Sequence, residues 1–174
     1  MNGGGKIVVL GAGESGVGAA ILAQQKGFEV FVSDKGKIKE KYKKVLLHNE
    51  IDWEECNHTL SKIMNADEVV KSPGISDTIQ LIIDLKERGV SVVSEIEFAA
   101  RYTDAKLICI TGSNGKTTTT LMTYHIMSNA GFNVAVAGNI GESFAKQVAR
   151  ENYDWYVLEL SSFQLDDMYE FKAD

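Results

Sequence analysis

The chain has 174 residues, 44% hydrophobic and 24% charged, a composition that suits a globular protein of one ordinary domain or two small ones. Its net charge of −6 excludes a basic surface for general nucleic-acid binding, so no nucleic-acid partner is expected. No apolar run approaches the roughly 18 residues that span a bilayer, and Met1-Asn2-Gly3-Gly4-Gly5-Lys6 enters a strand without a leader pattern, so the reading is cytoplasmic with no membrane partner.

Lys6 to Leu10 reads as a strand and Glu14 to Lys26 as a helix closed by Gly27. Phe28 to Ser33 is the next strand. The lysines at 35, 37, 39, 41, 43 and 44 read as a solvated helix face in preference to a diphosphate funnel. Glu68 to Lys71 is a strand ending at Ser72-Pro73-Gly74. Thr78 to Arg88 reads as a helix stopped by Gly89, Val90 to Val93 as a strand, and Glu95 to Arg101 as a short helix. The pattern restarts after Thr103 with a strand at 107–110, a helix from Lys116 to Ala130, and strands at Asn133 to Ala137 and Trp155 to Leu160 with a helix between them. Cys56 and Cys109 are read as free thiols, His48 and His58 as surface residues, and His125, Trp53 and Trp155 as packing residues. No His/Cys spacing suggests zinc.

This alternation predicts an α/β fold with parallel sheets. A Rossmann-like unit is expected over 1–103 and the start of a P-loop mononucleotide-binding unit over 104–174. The second unit shows fewer strands than such a sheet usually carries, so the chain is expected to be part of a longer protein.

Two glycine motifs carry chemistry. Gly11-Ala12-Gly13-Glu14-Ser15-Gly16 matches G-x-G-x-x-G between a strand and a helix, and Asp34 closes the next strand where a ribose-binding acid sits in dinucleotide folds. By itself this motif admits NAD or FAD, and so an oxidoreductase. It also admits a nucleotide-sugar diphosphate, or tight helix–strand packing alone. Glu14 near the helix N-terminus opposes a closely held pyrophosphate. The second motif is Gly112-Ser113-Asn114-Gly115-Lys116-Thr117-Thr118, after an apolar strand and before a helix. There backbone N–H groups converge at a helix N-terminus, Lys116 supplies a charge for β- and γ-phosphates, and Thr117 a hydroxyl for Mg²⁺. The longer P-loop pattern needs glycine at position 110, where Ile110 stands. A kinase or P-loop regulator fits this loop taken alone, as does a plain glycine turn.

Five ordered stretches now combine: GAGESG at 11–16, SPG at 72–74, GSNGKTT at 112–118, GNIG at 138–141 and LELSSFQL at 158–165. The chain resembles the Mur ligases of bacterial cell-wall synthesis, in particular their D-glutamate-adding branch. The resemblance implies ATP-dependent amide formation, in which ATP phosphorylates the carboxylate of UDP-N-acetylmuramoyl-L-alanine and the amine of D-glutamate attacks the acyl phosphate. It implies that Gly112, Ser113, Asn114, Gly115, Lys116, Thr117 and Thr118 hold ATP, and that Thr117 and Glu159 hold Mg²⁺. Lys116, Asn139 and Glu159 become the catalytic set. Glu14, Ser15, Asp34, Lys35, Ser72, Pro73, Gly74, Asn139 and Ser161 would surround the UDP-linked substrate. Under this resemblance NAD is not expected, and a monomer is. The family's usual threonine and arginine after the acid are Lys35 and Gly36 here, so Lys35 or Lys37 would substitute. The family's later histidine ligand, modified lysine and amino-acid-binding domain have no counterpart in these residues, so an amino-terminal portion without turnover is expected.

Overall fold

A computed structural model describes residues 4–165 and 168–174; the leader reading, which falls on residues 1–3, lies outside them. The first sheet holds β1 (Lys6–Leu10), β2 (Glu29–Asp34), β3 (Asp52–Glu55), β4 (Glu68–Lys71) and β5 (Ser91–Ser94) in the order β3-β2-β1-β4-β5. Every pairing is parallel. α1 (Glu14–Gln25), α2 (Glu40–His48), α3 (Leu60–Ile63), α4 (Gln80–Glu87) and α5 (Glu95–Ala100) make or follow the crossovers. Strand order reverses between β1 and β4, so the loops after these two strands flank the crevice where such sheets take ligands.

The second sheet, also parallel, runs β6-β8-β7 from β6 (Lys106–Ile110), β7 (Val134–Gly138) and β8 (Trp155–Glu159). α6 (Lys116–Asn129) and α7 (Phe144–Arg150) connect its strands, and α8 (Ser162–Leu165) follows β8. The centre of this sheet is therefore the strand that ends in Glu159. Asp174 returns to the free edge of β6, where its N–H donates to the Leu107 carbonyl at 3.0 Å and its Oδ2 accepts from the Leu107 N–H at 2.8 Å.

One continuous core joins the sheets. It contains Ile7 and Val9 from β1, Val32 from β2, Ala135 from β7, and Tyr156 and Leu158 from β8. Between them lies α1, whose residues from Gly16 to Ala23 are all buried. Its composition explains this. Gly, Ala, Val, Ile and Leu occupy every side of the helix, which suits one covered on all faces. A Cβ on Gly18 would lie 2.0 Å from Ser143 Oγ, so a side chain there would drive α1 off α7.

α5 closes the junction. Ser94 caps it, accepting from the Glu97 N–H at 3.1 Å. Glu95, 3% exposed, reaches the second sheet's layer: its Oε1 accepts from Ser143 Oγ at 2.8 Å and from the Ala145 N–H at 2.6 Å. Burial pushes its pKa up to about 7 against the lowering effect of these two bonds, and the Glu14 charge adds to the rise.

The predicted elements of both sheets appear with ends shifted by one or two residues. Gly27, Gly89 and Gly131 take positive φ just past the helices they stop. The lysine-rich stretch read as a helix face contributes α2, and two elements outside the sequence reading, β3 and α3, lie within residues 52–63. The lysine run is not one solvated face. Lys35, Lys37 and Lys39 precede α2, and Lys43 turns inward to Glu55 at 2.7 Å and over the Trp53 ring. His125 is exposed on α6 and bonded to Asn129, where packing was expected, because the outer side of α6 faces solvent. His58 is half-buried, with Nδ1 2.7 Å from Ser33 Oγ, so it is not a surface residue. Phe132 and Trp155 do pack, edge to face.

Because Glu95 binds its proton more tightly folded than unfolded, its contribution to stability is full below about pH 4.5 and is lost as pH rises through about 7. Thermal denaturation from pH 4.5 to 8 should show this decline, and Glu95→Gln should flatten it. An equal slope in the variant would remove Glu95 as its source.

Candidate functional site

The loop after β6 is built for an anion. Gly115, with φ 75°, is the N-cap of α6, and Gly112 has φ 143°, conformations that side chains disfavour. The first turn of α6 contains no acidic residue, so the positive end of a 14-residue helix faces the loop without an opposing charge. Lys116 folds back and donates from Nζ to the Gly112 carbonyl at 2.7 Å. Residues Ser113 to Thr118 line a cavity of about 370 Å³, and Asn139 and Glu159 complete its wall. Thus the glycine loop after β6, the amide and the acid meet at one place.

Glu159 ends the central strand and is 2% exposed. Its Oε1 accepts from Asn139 Nδ2 at 2.9 Å, and its main-chain carbonyl accepts from the Asn139 N–H at 2.8 Å. The loop can lie this close because residue 138 is glycine. A Cβ there would come within 2.3 Å of the Glu159 carbonyl oxygen. Glu159 Oε2 is buried and accepts no hydrogen bond from any described residue. An unpartnered buried carboxylate oxygen is costly, and it calls for a ligand.

A divalent cation meets this need. Glu159 offers a hard oxygen, and Thr117, a hydroxyl-bearing residue, lines the same cavity. Among the described residues no group of three His, Cys, Asp or Glu side chains could hold a metal ion. Few protein ligands supplemented by phosphate oxygens and water is the habit of Mg²⁺. The residues therefore fit the ion that the sequence implied.

The loop after β1 is built differently. Gly11 and Gly16 are required for packing: a Cβ on Gly16 would lie 1.9 Å from the Gly11 carbonyl oxygen, and one on Gly11 2.5 Å from Ser72 Oγ. Asp34 accepts from the Ala12 N–H through Oδ2 and from the Gly36 N–H through Oδ1, both at 2.7 Å. It thereby shapes the glycine loop and its own turn. Glu14 points to Lys146 of α7 at 3.3 Å, and Lys146 also meets Glu142 at 2.8 Å. Ser15 is half-buried at the start of α1, and Lys35 is exposed.

Ser72 packs on Gly11, while Pro73 and Gly74 line a second cavity of about 480 Å³ whose wall includes Lys71, Ile75, Asp77 and Phe163. Phe163 belongs to α8, so this cavity is shared by segments that follow both sheets. Ser161 turns onto Gln164, whose Oε1 accepts from the Ser161 N–H at 2.8 Å and from its Oγ at 3.0 Å. Sequence reasoning missed Lys71, which is 3% exposed and donates to the Ile75 carbonyl at 2.7 Å. A lysine directly after Val69-Val70 at the end of a strand was the available signal. It also missed Lys146, the partner of Glu14, which no local pattern marks.

Other titratable groups stand apart from this chemistry. Burial, reinforced by the Asp174 carboxylate, pushes the Cys109 thiol up to about 11. Burial likewise lowers the His58 pKa, against the opposing pull of Glu54 and Asp34.

Two family models match the chain: the MurD N-terminal domain over residues 6–81 and the Mur ligase middle domain over 110–173. The UDP-N-acetylmuramoylalanine--D-glutamate ligase of Bacteroides fragilis is 64% identical over 97% of this chain, which spans 38% of that relative's length. Among solved structures, UDP-N-acetylmuramate:L-alanyl-gamma-D-glutamyl-meso-diaminopimelate ligase from Neisseria meningitides superposes with a TM-score of 0.62 at 21% identity, over 98% of this chain and 56% of that one. UDP-N-acetylmuramate-alanine ligase from Thermotoga maritima gives 0.57 at 21% identity, over 91% and 37%. Identities this low speak for the fold alone.

Asn139→Ala would leave both Glu159 carboxylate oxygens without a partner. It should lower stability by about 1–3 kcal/mol, read as a fall in Tm. An unchanged Tm would mean that the pair does not anchor this wall.

Proposed function

The chain belongs to the Mur ligase family, and on that premise we propose that it is the nucleotide-handling portion of an ATP-dependent ligase joining D-glutamate to UDP-N-acetylmuramoyl-L-alanine in the cytoplasm. The observation that carries this reading is the cavity that unites Lys116, Thr117, Asn139 and the unpartnered Glu159 Oε2. The choice of D-glutamate rests on the similar ligase of Bacteroides fragilis.

In this reading residues 1–103 hold the UDP moiety at the crevice after β1 and β4, and residues 104–174 hold ATP. The main-chain amides from Ser113 to Thr118 and the end of α6 bind the phosphates. Lys116 exchanges its bond to the Gly112 carbonyl for the β- and γ-phosphate oxygens. The substrate carboxylate attacks the γ-phosphorus, a new O–P bond forms, and the bond to the β-phosphate oxygen breaks to release ADP. The amine of D-glutamate then adds to the acyl carbon, loses a proton, and phosphate departs. Both attacking and attacked groups are anions, so positive potential fixed in advance lowers the barrier. Mg²⁺, bound through Glu159 and Thr117, would supply charge neutralisation on the phosphate oxygens. Asn139 keeps the acid oriented and faces the acceptor side of the cavity. The crevice holds the UDP part through Ser15, Ser72 and Gly74, with Asp34 shaping the loop and Lys35 at its rim.

An NAD-dependent oxidoreductase would use the first glycine loop and leave the second without a role. Titration of the chain with a UDP-sugar and with NADH separates the two, because tight NADH binding without UDP-sugar binding would overturn the ligase reading. Lys116→Ala should weaken ATP binding by ~1.5–3 kcal/mol, the scale of a charge-assisted contact. Glu159→Gln should abolish the enhancement of ATP binding by Mg²⁺. Calorimetry with and without the metal measures both, and unchanged affinities would refute the assignments.

A further inference from the structure

α5 presents two buried carboxylates to the second sheet's layer. Glu95 grips Ser143 Oγ and the Ala145 N–H. Glu97, 2% exposed, accepts through Oε2 from the N–H groups of Tyr169, Glu170 and Phe171 at 3.0, 3.3 and 3.0 Å. Its Oε1 lies 3.5 Å from Arg101, which pairs with Glu68 at 2.9 Å. The grips have a common placement. Ser143 comes directly after the loop that carries Asn139, and Tyr169 to Phe171 follow the Ser161–Leu165 segment after Glu159.

The Asn139 loop has little freedom to absorb a displacement. Residues Ala137 and Glu142 close it as a bridge, and Gln147 of α7 donates to the Val136 carbonyl at 2.8 Å. A shift of Ser143 therefore reaches Asn139 within four residues of rigid chain. Solvation alone would leave such acids on the surface. Both are buried: Glu95 accepts from one hydroxyl and one main-chain donor on the other layer, and Glu97 from three main-chain donors there and from Arg101 on its own side.

We propose that Glu95 and Glu97 are positioning residues for the phosphate-side cavity: Glu95 fixes the Asn139–Glu159 pair through Ser143 and Ala145, and Glu97 fixes the chain leaving Glu159 through residues 169–171. Helix α5, which extends the first sheet's last strand, thus aligns the two ligand-bearing edges. What the cavity binds rests on the function proposed above; the alignment does not.

Amide hydrogen exchange on the chain tests this. Glu95→Ala should speed exchange at Asn139 and Ala145 by at least ~10-fold while Val8 and Val70 in the first sheet keep their protection. Glu95→Gln keeps an accepting oxygen and should restore slow exchange. Glu97→Ala should act in the same way on residues 169–171 only. If Glu95→Ala fails to fold, Ser143→Ala removes one donor and should give a smaller rise at the same two amides. An unchanged Asn139 amide, or a rise spread evenly over both sheets, overturns the proposal. Parallel ATP titrations should show loss of affinity in Glu95→Ala and recovery in Glu95→Gln. Localised exchange effects with no ATP binding by the unaltered chain would instead sink the ATP reading and leave the alignment standing.

Discussion

The close approach of α1 to α7 is the constraint from which the rest of the structure follows. It depends on Gly18, the point where a single added carbon would collide with Ser143. Small residues along α1 let one helix serve as filling for two parallel sheets, and so merge what would be two marginal cores into one. Ser143, Ala145 and Lys146 meet Gly18, Glu95 and Glu14 at this contact. The same few residues thus set both packing and the relative placement of two glycine loops.

Those loops look alike in sequence and differ in electrostatics. α6 begins with Lys116 and four threonines and leaves its N-terminal potential without an opposing acidic side chain. α1 begins with Glu14, whose charge already occupies that end and is balanced by Lys146. Asp34 adds a second negative group beside the first loop, held by two amides. Positive potential is therefore concentrated at the second loop, while the first offers shape and main-chain polarity. This division suits a ligand whose diphosphate is only carried and a nucleotide whose phosphate is transferred.

Much of this was legible from residue order. The strand Lys6–Leu10 is an apolar run between Gly5 and Gly11, and Glu68–Lys71 centres on Val69-Val70 ahead of Ser72-Pro73-Gly74; their ends fell where the pattern placed them. β3 was not, because Asp52-Trp53-Glu54-Glu55 is acidic and only its edge position in the sheet makes it a strand. Glu159, Asn139 and Lys116 could be named from their motifs, yet the unpartnered oxygen of Glu159 exists only once β8 sits between β6 and β7. Glu95 and Glu97 fall in a stretch read only as a short helix. Their burial is a property of the contact between layers, which local periodicity cannot encode.

The outer side of α6 carries a different consequence. Leu121, Met122 and Ile126 stand 47%, 60% and 61% exposed on the helix that Gly115 of the second glycine loop caps. In water this stripe is a source of attraction between molecules, and salts that strengthen apolar contacts will deepen it. Colloidal behaviour of the chain is thereby tied to the same helix whose N-terminus carries an unopposed positive potential, so conditions chosen to keep it dispersed must spare the charge at one end while taming the oiliness along the other.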